Sequence, residues 1–186
     1  MPTLEITGAL ISLLYLRLEY KASIWLWPVG VITPLIYIYI FLAGKLYAMM
    51  GINIYYLFAS LYGWYCWKKN DSRESGYKIV RLPLHLVWKL FSIFAGLFVL
   101  IAWILARYTD NPVPYGDALV TALSIVAMWM LARKFAEQWL VWLVANMISA
   151  GLFFRMELYP TSILYVIFAV VSVFGYLKWR KHTGRF

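Results

Sequence analysis

The sequence predicts an all-α integral membrane protein with seven transmembrane helices, arranged as two parallel repeats of three helices with one helix between them. Three observations predict this fold: the composition, the spacing of the apolar blocks and an internal repeat. Of the 186 residues, 64% are apolar and 13% are charged, and the mean hydropathy is +0.74. Such a chain has too little polar surface to cover a water-soluble globule, so we expect lipid to surround it.

The apolar residues fall into seven blocks of roughly 17–25 residues, the length of helix that crosses a hydrocarbon core of about 30 Å. In chain order, the predicted spans are residues 4–20, 23–43, 46–67, 86–106, 115–132, 137–155 and 160–179. Residues 1–69 are predicted to form a first three-helix bundle, and residues 111–186 a second. Residues 70–110 are predicted to form a cytoplasmic loop and the linker helix, whose single crossing gives both bundles the same orientation.

The basic residues lie between the spans, and they are divided unevenly between the two sides of the membrane. One side carries only Lys45, Arg107 and Arg155. The other side carries the remaining 14 of the 17 Lys and Arg residues, namely Arg17, Lys21, Lys68, Lys69, Arg73, Lys78, Arg81, Lys89, Arg133, Lys134, Lys178, Arg180, Lys181 and Arg185. Because Lys and Arg accumulate on the cytoplasmic side, the N-terminus is predicted outside and the C-terminus in the cytoplasm.

The reactive side chains argue against several classes of function. Cys66, His85 and His182 form no metal-ligand pattern of recognisable spacing, so no metal or cofactor is predicted. The net charge of +9 comes from helix ends rather than from a soluble basic face, which argues against a nucleic-acid partner. The acidic residues of the spans lie near span ends, and no Gly-rich phosphate loop appears, so neither proton coupling nor ATP drive is expected. If the chain is a transporter, facilitated diffusion is the mechanism that these residues leave.

The chain matches itself at an offset of 112 residues. The matched pairs are Trp27 with Trp139, Leu46-Tyr47 with Leu158-Tyr159, Ser60 with Ser172, Gly63 with Gly175, Trp67 with Trp179, and Lys68-Lys69 with Arg180-Lys181. Trp, Gly and a charged boundary in one register indicate a repeat more strongly than apolar matches would. Parallel repeats are typical of transporters that bind substrate near the midplane, between the two copies. The alternative is a duplicated structural bundle without a transport pathway.

Two helix faces alternate aromatic rings with small or amide polar groups, which is the chemistry of a binding site. On span 6 this face is Trp139, Trp142, Asn146, Ser149 and Phe153, and on span 3 it is Asn53, Tyr56, Ser60, Trp64 and Trp67. The amide of Asn146 should face the protein interior, because a polar group in lipid needs partners. Aromatic rings stack on flat ligands and attract cations, so the predicted ligand is a small aromatic cation with hydroxyl or amine groups. The predicted substrate-binding residues are Trp139, Trp142, Asn146, Asn53, Tyr56 and Ser60.

Several of these residue types also have a purely structural interpretation. Trp and Tyr near span ends are commonly interfacial anchors, and this interpretation applies to Trp25, Trp67, Trp179 and Tyr159. Asn146 could instead join two helices by a hydrogen bond. Gly63 and Gly175 are expected to allow close helix packing rather than to contact substrate.

Three segments resemble the PnuC family of bacterial vitamin transporters. They are residues 18–30 (LEYKASIWLWPVG), residues 62–67 (YGWYCW) and the motif Trp139-x-x-Trp142-x-x-x-Asn146. The resemblance implies a 3+1+3 fold similar to full-length SWEET sugar transporters, in the bacterial inner membrane. It also implies transport without energy coupling, with a cytoplasmic kinase that traps the vitamin by phosphorylation. The motif places Trp139, Trp142 and Asn146 at the substrate.

Branches of this family carry thiamine, nicotinamide riboside or riboflavin. Residues 20–24 and 51–56 resemble the thiamine branch, so thiamine is the first expectation and nicotinamide riboside the alternative. Both are aromatic cations, whereas riboflavin is larger and uncharged. Two rival interpretations are an intramembrane enzyme and a structural or channel-like protein. Because no paired acids and no nucleophile with a base lie at membrane depth, no enzymatic activity is predicted. The sequence leaves open whether the chain forms a homo-oligomer.

Overall fold

A computed structural model describes residues 2–43, 47–71, 78–109 and 112–183. These residues form seven α-helices: α1 (Pro2–Tyr20), α2 (Leu26–Ala43), α3 (Tyr47–Asp71), α4 (Leu84–Tyr108), α5 (Pro114–Ala132), α6 (Gln138–Arg155) and α7 (Tyr159–His182). Each predicted span lies on one of these helices, which confirms the all-helical, seven-helix prediction. Lys45, Leu46, Arg73 and Arg185, on which the repeat and the charge count partly rest, lie outside the described residues.

By length and hydropathy alone, three helices in the described part of the chain are able to cross a membrane: α4, α5 and α7. A shorter apolar stretch covers Leu26–Tyr39 in α2. Helices α3 and α6 are not among these three, and in both of them Trp, Gly, Ser and Asn interrupt the apolar residues. Those residues are the ones that the sequence singles out as candidate binding faces.

The chain forms two compact units, Met1–Tyr77 and Lys78–Phe186. In the first unit, α2 packs along α3 and makes a smaller contact with α1. In the second unit, α4 packs on α5, α5 on α6, and α6 on α7. Helix α4 therefore belongs with the second unit, although only its Leu90 and Ala102 are buried there.

A tryptophan pair around a glycine holds two helices together in each unit. In the first unit the rings of Trp27 and Trp67 meet edge to face, with centroids 5.3 Å apart and planes at 84°. Trp139 and Trp179 form the matching pair in the second unit, at 5.8 Å and 87°. These rings are buried, so the interpretation of Trp67 and Trp179 as interfacial anchors is wrong, whereas Trp25 is 68% exposed as an anchor would be.

The glycines Gly63 and Gly175 make room for these rings. A Cβ atom added to Gly63 would overlap the six-membered ring of Trp27, and one added to Gly175 would lie 2.5 Å from Cδ2 of Trp139. Only a residue without a side chain lets the helix backbone approach the indole so closely. The packing role that the sequence predicts for both glycines is confirmed.

The turns that precede α2 and α6 are also alike. Ala22 and Lys134, 112 residues apart, both have a left-handed backbone, with φ of 51° and 54°. Ser23 N–H donates to the Leu18 carbonyl at 2.9 Å, and Phe135 N–H donates to the Met130 carbonyl at 3.0 Å. The offset found in the sequence therefore relates the backbone of the turns as well as the tryptophan packing.

A short segment before α4 is fastened to the turn between α5 and α6. Val80 N–H donates to the Lys134 carbonyl at 3.1 Å, and Ala136 N–H donates to the Val80 carbonyl at 3.0 Å. The carboxylate of Glu137 accepts the N–H of Leu82 at 2.8 Å. Residues 80–82 thus fix the start of α6 within the second unit.

Candidate functional site

The amide of Asn146 lies at the centre of the predicted face of α6. Its side chain is 7% exposed, and Nδ2 donates to Oγ of Ser172 on α7 at 3.4 Å. Ser172 Oγ in turn donates to the Phe168 carbonyl at 2.8 Å. Asn146 faces the interior, as the sequence predicts, but its bond to Ser172 is at the long limit for a hydrogen bond and is correspondingly weak.

The two tryptophans of the motif have different surroundings. Trp139 is fully buried against Gly175 and the edge of Trp179, so its ring joins α6 to α7. Trp142 is only partly buried, and its indole Nε1 has no hydrogen-bond partner in the described part of the chain. Nε1 of Trp139 also lacks a partner among these residues, so the two tryptophans differ in burial: part of the Trp142 side chain is open, whereas the ring of Trp139 is already used in packing.

Gln138, which the sequence reasoning did not single out, lies on the same side of α6. Its side chain is 0% exposed, and neither Oε1 nor Nε2 finds a hydrogen-bond partner among the described residues. The sequence signal that could have identified Gln138 is its spacing. Gln138, Trp142 and Asn146 follow one another at intervals of four residues, so they fall within an arc of about 80° on an α-helix. A buried amide without a partner is unusual and calls for an explanation.

Aromatic rings occupy the other end of this face. The rings of Phe153 and Tyr165 are stacked, with centroids 5.2 Å apart and planes at 23°. Tyr165 also meets Phe168 edge to face at 5.7 Å. The face thus runs from a buried amide through Trp142 and Asn146 to a group of rings shared by α6 and α7.

The predicted residues of the first unit share one face of α3. Ser60 is buried, while Asn53 and Tyr56 are partly exposed. A Cβ atom added to Gly30 would lie 2.9 Å from Ser60 Oγ and 3.2 Å from the ring of Tyr15. The close approach of α1 and α3 to α2 at Gly30 therefore depends on the missing side chain.

The two units differ where the chemistry is expected. At the 112-residue offset, Gln138, Trp142 and Asn146 of α6 correspond to Leu26, Gly30 and Pro34 of α2. The packing residues, by contrast, are the same in both units, since Trp139 corresponds to Trp27 and Gly175 to Gly63. The repeat keeps the residues that join the helices and changes those that could hold a ligand, which makes the face of α6 the candidate site.

Apolar helices, together with a buried aromatic and amide face on α6, are compatible with a multi-pass membrane transporter. The family model described as nicotinamide mononucleotide transporter matches residues 2–181, and the chain belongs to this family, the PnuC vitamin transporters. The resemblance seen in the sequence is confirmed. The family and the apolar helices indicate a multi-pass protein of the inner membrane.

Relatives are similar over nearly the whole of this chain and over most of their own length. The nicotinamide riboside transporter PnuC of Escherichia coli (strain K12) is 28% identical, over 95% of this chain and 84% of the relative. The riboflavin/roseoflavin transporter RibM of Streptomyces davaonensis is 26% identical, over 97% and 86%. A crystal structure of the vitamin B3 transporter PnuC shares the fold, with a TM-score of 0.72 and 23% identity over 93% of this chain and 78% of that one. The first expectation of thiamine as substrate finds no support among these relatives.

Proposed function

We propose that this protein carries nicotinamide riboside across the inner membrane by facilitated diffusion. The observation that carries the proposal is the face of α6, where Trp142 and Asn146 combine a partly exposed indole with an interior amide. The name of the Escherichia coli relative supports nicotinamide riboside, the alternative that the sequence left open. We also propose the orientation predicted from the basic residues, with the N-terminus outside and the C-terminus in the cytoplasm.

The chemistry of the face suits this substrate. A cation above the indole of Trp142 gains roughly 0.5–2 kcal/mol without a buried counter-charge. The nicotinamide ring of the riboside carries such a charge and is flat enough to stack. Asn146 can exchange its long bond to Ser172 for a bond to the ligand at little cost, because a 3.4 Å contact contributes little.

Trp139 supports this site because its packing fixes the orientation of α6. Its ring lies between α6 and α7, and any rotation of α6 that moved it off Gly175 would also move Trp142 and Asn146. Asn53, Tyr56 and Ser60 of the first unit remain proposed as the second part of the site, in a 3+1+3 arrangement similar to SWEET transporters. A cytoplasmic kinase that phosphorylates the vitamin would make uptake effectively one-way.

A binding titration with nicotinamide riboside, thiamine and riboflavin in parallel tests the substrate. The protein is purified in detergent, and quenching of tryptophan fluorescence reports binding. We expect the wild type to bind nicotinamide riboside most tightly. Tighter binding of thiamine or of riboflavin would overturn the proposed substrate. In proteoliposomes whose membrane potential and pH gradient have been collapsed, uptake of the cation should stop at equal concentrations on both sides, and accumulation beyond that point would refute facilitated diffusion.

Two variants and a matched control test the site. Trp142→Ala removes the stacking surface and should weaken binding by about 1–3 kcal/mol, or roughly five- to 150-fold. Asn146→Leu should also weaken binding, because it removes a desolvated hydrogen-bonding group. Trp25→Leu removes an indole that is 68% exposed and should leave affinity unchanged. If folded Trp142→Ala and Asn146→Leu bind at wild-type strength while Trp25→Leu does not, the site lies elsewhere.

A further inference from the structure

The side chain of Gln138 has no structural partner to explain its burial. It is 0% exposed, and both its carbonyl oxygen and its amino nitrogen lack hydrogen-bond partners among the described residues. A buried, unpaired amide destabilises a folded protein, since it has lost its bonds to water and gained none. A role in binding would explain why an amide stands at this position.

The first unit shows that packing does not require an amide here. At the 112-residue offset the position of Gln138 is held by Leu26, which is also 0% exposed. The neighbouring tryptophans, Trp27 and Trp139, pack alike in the two units. In the first unit an apolar side chain is therefore buried at the position that precedes the equivalent tryptophan. The amide of Gln138 is a feature of the second unit alone.

Helix geometry places Gln138 in line with the proposed site. Trp142 follows one turn later and Asn146 two turns later, at rises of about 6 Å and 12 Å along the axis. The three residues fall within an arc of about 80°, so the indole of Trp142 lies between two amides. A ligand that stacks on this indole can therefore meet a polar group on each side, over a length that a nucleoside spans.

We propose that Gln138 is a specificity-determining residue that pairs its amide with the carboxamide of the bound nicotinamide ring. This inference rests on the proposed function. A carboxamide both donates and accepts, so it can satisfy the unpaired Oε1 and Nε2 of Gln138 together in a two-point pair. With the carboxamide at Gln138 and the ring on Trp142, the ribose hydroxyl groups lie toward Asn146. The substrate class is then a cationic pyridinium riboside that carries a carboxamide.

The pair predicts strong selection against a ligand that lacks the carboxamide. N-ribosylpyridinium keeps the charge, the ring and the sugar, but it would leave both atoms of the Gln138 amide unpaired. Sites that are built to bond a polar group reject analogues without it, because the buried partner stays unsatisfied. We expect the wild type to bind nicotinamide riboside about 10- to 100-fold more tightly than N-ribosylpyridinium, as two hydrogen bonds imply.

The test compares these two ligands on the wild type and on Gln138→Met, which is close in size and cannot form the pair. The variant should lose affinity for nicotinamide riboside and keep its affinity for N-ribosylpyridinium, so that the preference disappears. Thermal unfolding without ligand should occur at the same or a higher temperature, because the variant removes an unpaired buried amide. If Gln138→Met does not fold, Gln138→Asn retains the amide at a shorter reach and should reduce the same preference.

Each outcome separates this inference from the function on which it rests. If the wild type shows no preference between the two ligands, or if a folded variant keeps the wild-type preference, the carboxamide pair is refuted while nicotinamide riboside can still be the substrate. Equal weakening of both ligands would also refute it, since Gln138 would then act only on the position of α6. If the wild type does not bind nicotinamide riboside, the proposed function fails and this inference fails with it.

Discussion

Replacing Gly175 with alanine should destabilise the second unit, although alanine is the better helix former. The new Cβ would lie 2.5 Å from Cδ2 and 2.6 Å from Cε2 of Trp139, distances that a real Cβ does not tolerate. The indole is fully buried and meets Trp179 edge to face, so it has no free space into which to move. The helices must therefore separate, or the ring must leave its rotamer.

The expected magnitude follows from two opposing terms. Overpacking of a well-packed interior costs typically about 1–3 kcal/mol. Replacing glycine by alanine within a helix returns roughly 0.5–1 kcal/mol. The difference between the middle values of these ranges is a net loss of about 1 kcal/mol, and the largest loss that they allow is about 2.5 kcal/mol. Gly151→Ala on α6 is the matched control, because nothing lies within 4 Å of its added Cβ and only the favourable term applies.

Thermal unfolding of the purified protein in detergent measures both variants on one scale. Gly175→Ala should unfold at a lower temperature than the wild type, and Gly151→Ala at the same or a higher temperature. In a double-mutant cycle, Trp139→Leu should cost less in the Gly175→Ala background than in the wild type, because it relieves the clash. Equal shifts for the two glycine variants, or full additivity in the cycle, would refute the packing argument.

Two further predictions concern the turn before α2 and the orientation of the chain. Ala22→Gly should raise the unfolding temperature, because a left-handed backbone with φ of 51° is strained by about 1 kcal/mol for alanine and not for glycine. A lower unfolding temperature would contradict this reasoning. A fluorescent protein that folds only in the cytoplasm, fused after residue 186, should fluoresce in whole cells, because 14 of the 17 basic residues lie on the predicted cytoplasmic side. A dark but fully inserted fusion would reverse the orientation.

Part of the candidate site could be predicted from the sequence, because even a single amide or tryptophan deep within a membrane span indicates a candidate site position. The cost of a polar group in lipid predicts that Asn146 lies in the interior, and it is buried beside Ser172. Trp139 and Trp142 share a motif, yet the first is fully buried against α7 and the second is only partly buried. Periodicity puts both on one face and cannot tell which of them a neighbouring helix covers.

The seven helices, and the residue matches at an offset of 112, could be recognised from the sequence alone, because hydropathy over a span and the identity of Trp and Gly are local properties. Tertiary structure decided which residues the helices enclose. It buried Trp67 and Trp179 rather than leaving them at the membrane surface, tied Leu82 to Glu137, and enclosed the amide of Gln138. The physical reason is that lipid and a neighbouring helix are equally apolar, so a helix carries no hydrophobic signal that distinguishes the face it packs from the face it exposes.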